Sequence, residues 1–265
     1  MRNRSVEEQK TGAKKRIGLI DELRGFAVVI MLIYHTLYLC DVIFALPVTE
    51  KLFYSFMPVK PLSGIFIIVA GISSAFSRSN LRRGLKLLAV ALGITLVTAL
   101  LLPLVGMDGF GIYFGVLHLL SVSILLFSFL RPLISKIPPV LGIGLCVLFY
   151  ILTAGIGEGY LGIPPAFILE LPPELYELPY LFPFGIITED FASADYFPVF
   201  PKIFMFFAGT CFGGIIKNTE LPDSVYRVRI KPLAALGRRA LAVYVIHIPV
   251  LYAVICLIKL AVNLF

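Results

Sequence analysis

The chain has 265 residues, 59% of them hydrophobic and 15% charged, with a mean hydropathy of +0.95. Soluble domains are about half apolar and about a quarter charged, so this composition excludes a soluble globule and describes a polytopic membrane protein. The net charge of +7 concerns membrane topology and anionic ligands and carries no nucleic-acid signal.

Residues 1–18 form a basic tail with Arg2, Arg4, Lys10, Lys14, Lys15 and Arg16. It lacks the short apolar stretch and small-residue cleavage site of a signal peptide, so it is expected to stay attached. Residues 19–265 read as the transmembrane domain. Windows of about 19 residues, enough to cross about 30 Å of hydrocarbon, predict seven transmembrane helices near 22–45, 59–78, 84–104, 111–131, 138–156, 197–217 and 236–262. The expected fold is all-α, because runs such as LKLLAVALGITLVTALLLPLV are continuously apolar where a barrel strand would alternate. Gly209 with Gly213, and Ala70 with Ser74, read as close helix-packing surfaces.

Eighteen of the 23 Lys and Arg residues fall on one side of this arrangement. They comprise the tail, then Arg78, Arg82, Arg83 and Lys86, then Arg131 and Lys136, then Lys217, Arg227, Arg229, Lys231, Arg238 and Arg239. The positive-inside rule places the amino terminus in the cytoplasm and, after an odd number of spans, the carboxyl terminus outside. The expected external side carries the longest polar stretch, 157–196, which has no Lys or Arg but holds Glu158, Glu170, Glu174, Glu177, Glu189, Asp190 and Asp195. A connection of that length reads as a lid or binding element, while Tyr176, Tyr180 and Tyr196 also suit an interfacial aromatic belt.

Ionisable groups inside spans are expensive, so they are the first place to look for function. All three histidines, His35, His118 and His247, fall inside predicted spans. At 100° per residue, Asp21, Arg24 and His35 share one helical stripe, with His35 about 16.5 Å further along the axis than Arg24. A bland account is a boundary ion pair plus a packed histidine. His118, in GVLHLLSVS with Ser121 and Ser123, also suits hydrogen-bonded packing, and Pro249 frees a carbonyl near His247. Cys40, Cys146, Cys211 and Cys256 lie in apolar stretches without a CxxC pair, so no metal is expected. A proton-coupled transporter would also place histidines at mid-depth, and a haem protein would need two facing histidines at equal depth.

The ordered segments RIGLIDELRGFAVVIMLIYH, IFIIVAGISSAFSRSNLRRGLKLL, GVLH, DYFPVFP and LGRRALAVYVIH resemble those of the transmembrane acyltransferases. More closely, they look like those of small prokaryotic members of the heparan-alpha-glucosaminide N-acetyltransferase catalytic-domain family, with the resemblance running from about Arg16 to Tyr252. It implies transfer of an acyl group, acetyl foremost, from cytoplasmic acetyl-CoA or another acyl-CoA to a hydroxyl or amine acceptor on the far side, commonly a carbohydrate. It implies an integral protein of a prokaryotic cell membrane in contact with lipid, for which a homodimer is a compatible assembly. Asp21, Arg24 and His35 match the family's polar stripe, with His35 as the catalytic residue, and Arg78, Arg82, Arg83, Lys86 and Arg238 would face the CoA phosphates.

His35 is expected to act as general base, with a covalent acyl-histidine as a second route. His118 or His247 would donate to the developing oxyanion. Asp195 and Tyr196 are expected at the acceptor, although Asp195 could instead cap the helix that follows it. Lys202 where an aromatic often follows DYFPxxP, and Ile248 where Gln often follows the last histidine, depart from the pattern and leave the acceptor open.

Overall fold

The computed structural model describes residues 16–56, 63–104, 106 and 109–263. The basic tail before Arg16, and Lys60, lie outside the described residues. Each of the seven predicted spans holds a helix. The α-helices of eight residues or more are α1 (Gly18–Phe44), α2 (Pro47–Phe56), α3 (Ser63–Phe76), α4 (Asn80–Leu104, with a π-helical stretch over Leu96–Leu101), α5 (Val116–Ile134), α6 (Pro139–Thr153), α7 (Ile203–Asn218), α8 (Lys231–Arg238) and α9 (Ala240–Asn263).

Five of these are long and apolar enough to cross a membrane: α1, α4, α5, α6 extended to Glu158, and α9. The other two expected spans hold the shorter apolar helices α3 and α7. Helices α3 and α7 have 14 and 16 described residues, about 21 and 24 Å at 1.5 Å per residue. They pack chiefly on each other inside the bundle. A Cβ at Gly71 would run into the backbone of Phe206, and one at Gly209 into that of Ile68, so glycine lets the two backbones touch. The buried core around them contains Ile67, Leu119, Ile124 and Phe206. Leu100, Leu104, Phe129, Leu133, Val140 and Leu257 face outward, where a bilayer covers them.

Helix α5 begins at Val116, five residues later than expected, because 111–115 is extended and runs beside 193–197. Ala194 N–H donates to Gly111 O at 3.0 Å and Phe197 N–H donates to Phe114 O at 2.9 Å. The end of α4 is stitched to the same segment, since Thr95 Oγ1 donates to Ile112 O at 2.7 Å and Thr98 Oγ1 accepts from Ile112 N–H at 3.0 Å. The stretch 157–196 contains the exception to the all-α expectation, an antiparallel hairpin of β1 (Tyr160–Ile163) and β2 (Phe167–Glu170).

One end of the bundle gathers the start of α1, the end of α3, the start of α4 and all of α8. Helix α8 lies against α1, where a Cβ at Gly25 or Gly237 would strike the facing backbone of Leu233 or Asp21. The buried Glu22 carboxylate accepts from the backbone N–H of Arg229 and Ile230 and so ties the segment leading into α8 to α1. This is the basic end. The opposite end carries α2 and the 157–196 stretch.

Candidate active site

Asp21, Arg24 and His35 do share one face of α1, as their spacing requires. Asp21 is buried, and its carboxylate accepts from Arg24 Nη1 at 3.1 Å and from Arg16 Nε at 2.6 Å. Arg24 Nη2 continues to Ser73 Oγ at 2.7 Å on α3, and Nη1 also reaches Gly237 O at 3.4 Å. The guanidinium is thus pinned at the junction of α1, α3 and α8, with Asp21 as its orienting acid.

A cavity of about 520 Å³ opens beside it, and five of its lining residues are cations: Arg24, Arg82, Arg83, Lys86 and Arg238. No acid joins them in the lining. Adjacent serines of α3 direct two of these cations. Ser73 holds Arg24, and Ser74 Oγ accepts from Arg83 Nη1 at 3.4 Å. Each serine donates in turn to the carbonyl four residues earlier, Ser73 to Val69 and Ser74 to Ala70. Positive charge concentrated in this way, with only Arg24 paired to a carboxylate outside the lining, on low-dielectric apolar walls from Leu117, Leu120 and Ile124, suits a polyanionic ligand. Arg78, the fifth cation expected at phosphates, is exposed and lines none of the cavities described here.

His35 lines a second cavity, of about 240 Å³, together with Tyr34, Asp195, Tyr196 and Tyr244. Its Nδ1 lies 2.9 Å from Met31 O. A carbonyl only accepts, so Nδ1 carries the hydrogen and Nε2 keeps its lone pair. That is the tautomer a base needs. Phe66, Ala240 and Tyr244 line both cavities and form the partition between them.

Asp195 sits deeper than a surface loop residue. Pairing of 193–197 with 111–115 carries it against the start of α5, where Gly115 has no Cβ to collide with the carboxylate. Its Oδ2 accepts from Tyr244 Oη at 2.6 Å and from Val116 N–H at 3.2 Å. It therefore caps α5, not the helix that follows it. Tyr196 also lines the cavity, and its hydroxyl donates to Phe182 O at 2.6 Å. Burial pushes the Tyr196 phenol up to about 12.

The other two histidines stand differently. His118 lines neither cavity. Its Nδ1 accepts from Gly115 N–H at 3.2 Å and its Nε2 donates to Thr95 Oγ1 at 3.1 Å, since Thr95 spends its own hydrogen on Ile112 O. Nδ1 thus closes the first turn of α5, and Nε2 fastens that turn to α4. His247 is buried behind His35, with ring centroids 4.8 Å apart. Its Nδ1 donates to Tyr244 O at 2.6 Å, which leaves Nε2 as an acceptor without a hydrogen. In these tautomers neither ring offers an N–H to a developing oxyanion.

Sequence reading missed Ser73, Tyr244 and Phe66 and took Ser74 for packing. The available signal was two adjacent hydroxyls in an apolar helix whose following turn is rich in arginine.

The fold is that of a polytopic helical membrane protein, and two of its cavities share part of one wall. The chain belongs to the heparan-alpha-glucosaminide N-acetyltransferase catalytic family, whose family model matches residues 16–249. Its class is thus that of a membrane acetyltransferase. No curated protein and no solved structure matches the chain.

Proposed function

We propose that the chain transfers an acetyl group from cytoplasmic acetyl-CoA to a hydroxyl or amine of a carbohydrate acceptor on the external side of the membrane. One observation carries this reading: the cation-lined cavity and the His35 cavity share the wall formed by Phe66, Ala240 and Tyr244. A phosphate-bearing donor and a polar acceptor can therefore meet at one place. Family membership supports transfer over proton-coupled transport.

Arg24, Arg82, Arg83, Lys86 and Arg238 would hold the phosphates of CoA, with Ser73 and Ser74 fixing two of the five. The pantetheine arm would follow Leu117 and Leu120 toward Tyr244. His35 Nε2 then takes the proton of the acceptor O–H or N–H as that atom attacks the thioester carbonyl carbon. The carbon–sulfur bond breaks, CoA leaves as thiolate, and the proton on His35 returns to sulfur. The Tyr244 hydroxyl, at the partition, can turn from Asp195 to the carbonyl oxygen as charge develops there. Tyr34, Asp195 and Tyr196 would orient acceptor hydroxyls.

The test uses detergent-purified protein, acetyl-CoA, a thiol reagent and a panel of neutral and amino sugars. Acceptor-dependent release of CoA is expected. Thioester hydrolysis without any acceptor, or no release with the whole panel, would contradict the reading. Exchange of labelled CoA into acetyl-CoA in the absence of acceptor would mark the acyl-histidine route instead of direct transfer.

A further inference from the structure

We propose that His247 is the proton partner of His35, the proton taken from the acceptor being held between the Nε2 atoms of the two imidazoles until the CoA thiolate receives it. The proposal deepens the acyl-transfer reading. Its kinetic consequence rests on that reading, and its spectroscopic consequence rests on the pair alone.

Three observations converge. The rings of His35 and His247 are neighbours, 4.8 Å between centroids and 73° between planes. Each Nδ1 is spent on a carbonyl of its own helix, Met31 O for His35 and Tyr244 O for His247. His247 Nε2 is a buried acceptor with no hydrogen-bond partner, on a residue only 5% exposed. Two neutral imidazoles locked this way present lone pairs and no donor, an arrangement that buried polar groups avoid.

A single added proton resolves it. On His35 Nε2 it can be shared with His247 Nε2 as a charge-assisted hydrogen bond once the rings turn those two atoms toward each other, a bond the neutral pair does not make. An N–H···N bond of about 2.9 Å between two imidazoles sets their centres about 5 Å apart, close to the spacing seen. A metal ion is a poorer occupant, because a zinc site takes three or four protein donors and the described residues contain no cluster of three His, Cys, Asp or Glu.

The titratable groups facing the pair are Asp195 from the 193–197 strand, Tyr34 on α1 and Tyr244 on α9. Asp195 already accepts from Tyr244 and Val116, and a carboxylate has no hydrogen to give His247. The proton must come through His35, which lines the cavity as His247 does not. The balance is closed. The acceptor's X–H bond breaks and its proton goes to the pair, the X–C bond forms as C–S breaks, and the thiolate takes the proton from His35. His247 is thus a positioning residue that acts on the substrate only through His35.

The test labels the three histidines with 15N in the full chain, reconstitutes it in lipid nanodiscs and follows the ring resonances as pH is lowered. The Nε2 resonances of His35 and His247 are expected to move together in one step while His118 stays apart. In His247→Gln, His35 should move alone and at a different pH. Independent movement of the two rings in the wild-type spectrum would overturn the proposal, and that spectrum decides the matter even where the variant fails to fold. In turnover, His247→Gln should lower kcat about 100-fold, leave KM for acetyl-CoA within about two-fold, and reduce the protons in flight in a mixed-isotope solvent series from two to one. Wild-type kcat in a folded His247→Gln would also overturn it. If the wild-type chain turns over with no acceptor, the acyl-transfer reading fails while the resonance result still decides the proton partner.

Discussion

Asp195 and Tyr244, 49 residues apart in the chain, are joined by a 2.6 Å hydrogen bond in which the phenol donates to the carboxylate. The bond ties the end of the acidic stretch to α9 at the wall between the two cavities. Tyr244→Phe removes the hydroxyl with little change of shape, so the fold should lose only about 1 kcal/mol. If that hydroxyl serves the oxyanion, kcat should fall about 100-fold. Steady-state kinetics beside a thermal melt in detergent would check both. A variant with wild-type kcat would remove Tyr244 from the mechanism.

The serine-held arginines give a binding prediction. Arg24→Ala and Arg83→Ala should each weaken acetyl-CoA by about 10- to 100-fold, the range for a charged hydrogen bond. Arg78→Ala, outside the cavity, should leave the affinity unchanged. Titration calorimetry in low and moderate salt would show the order, and loss of affinity on changing Arg78 would place the phosphates elsewhere.

His35→Ala should abolish transfer while leaving CoA affinity nearly intact, because His35 lines the smaller cavity and none of the cation-bearing wall. His118→Gln should act on stability instead. It severs the tie between α5 and α4 and costs about 1–3 kcal/mol, seen as a lower unfolding midpoint with residual turnover in the protein that remains folded.

Tyr196 carries an alkaline signature. Its phenol is raised by burial from 10.0 to about 12. A group held protonated in this way contributes stability that is full below about pH 10 and is lost as pH rises through about 12. Tyr196→Phe loses the bond to Phe182 O, about 1 kcal/mol, and should flatten that part of the stability curve. An unchanged alkaline slope in the variant would mean that other groups set it.

The α3–α7 contact predicts intolerance of one methyl group. Gly209→Ala places a Cβ against the Ile68 backbone, which cannot yield as a side-chain end can. Overpacking of this kind costs about 1–3 kcal/mol. Gly144→Ala, where a Cβ would meet nothing, is the matched control in the same melt.

The hydrophobic runs made the helices legible, because an apolar stretch of that length has few other fates in lipid. They could not reveal that α3 and α7 pack chiefly on each other inside the bundle, since a helix surrounded by protein looks as apolar as one surrounded by lipid. The stripe of Asp21, Arg24 and His35 was legible because 100° per residue fixes which side chains on one helix align. The convergence of His35 with His247, Asp195 with Tyr244, and Arg24 with Ser73 joins residues from different elements, and no periodicity within one helix encodes it. His118 looked like His35 in sequence, and only its two bonds to Gly115 and Thr95 show it to be a fastener.

In the proposed reaction a donor from the basic end and an acceptor from the acidic end meet at His35. The most direct measurement places labelled acetyl-CoA on one side of sealed proteoliposomes and a membrane-impermeant sugar acceptor on the other. Vesicles with the basic end facing the acetyl-CoA should acetylate the acceptor across the bilayer, and His35→Ala vesicles should not. Product formed only when donor and acceptor share a compartment would contradict the account.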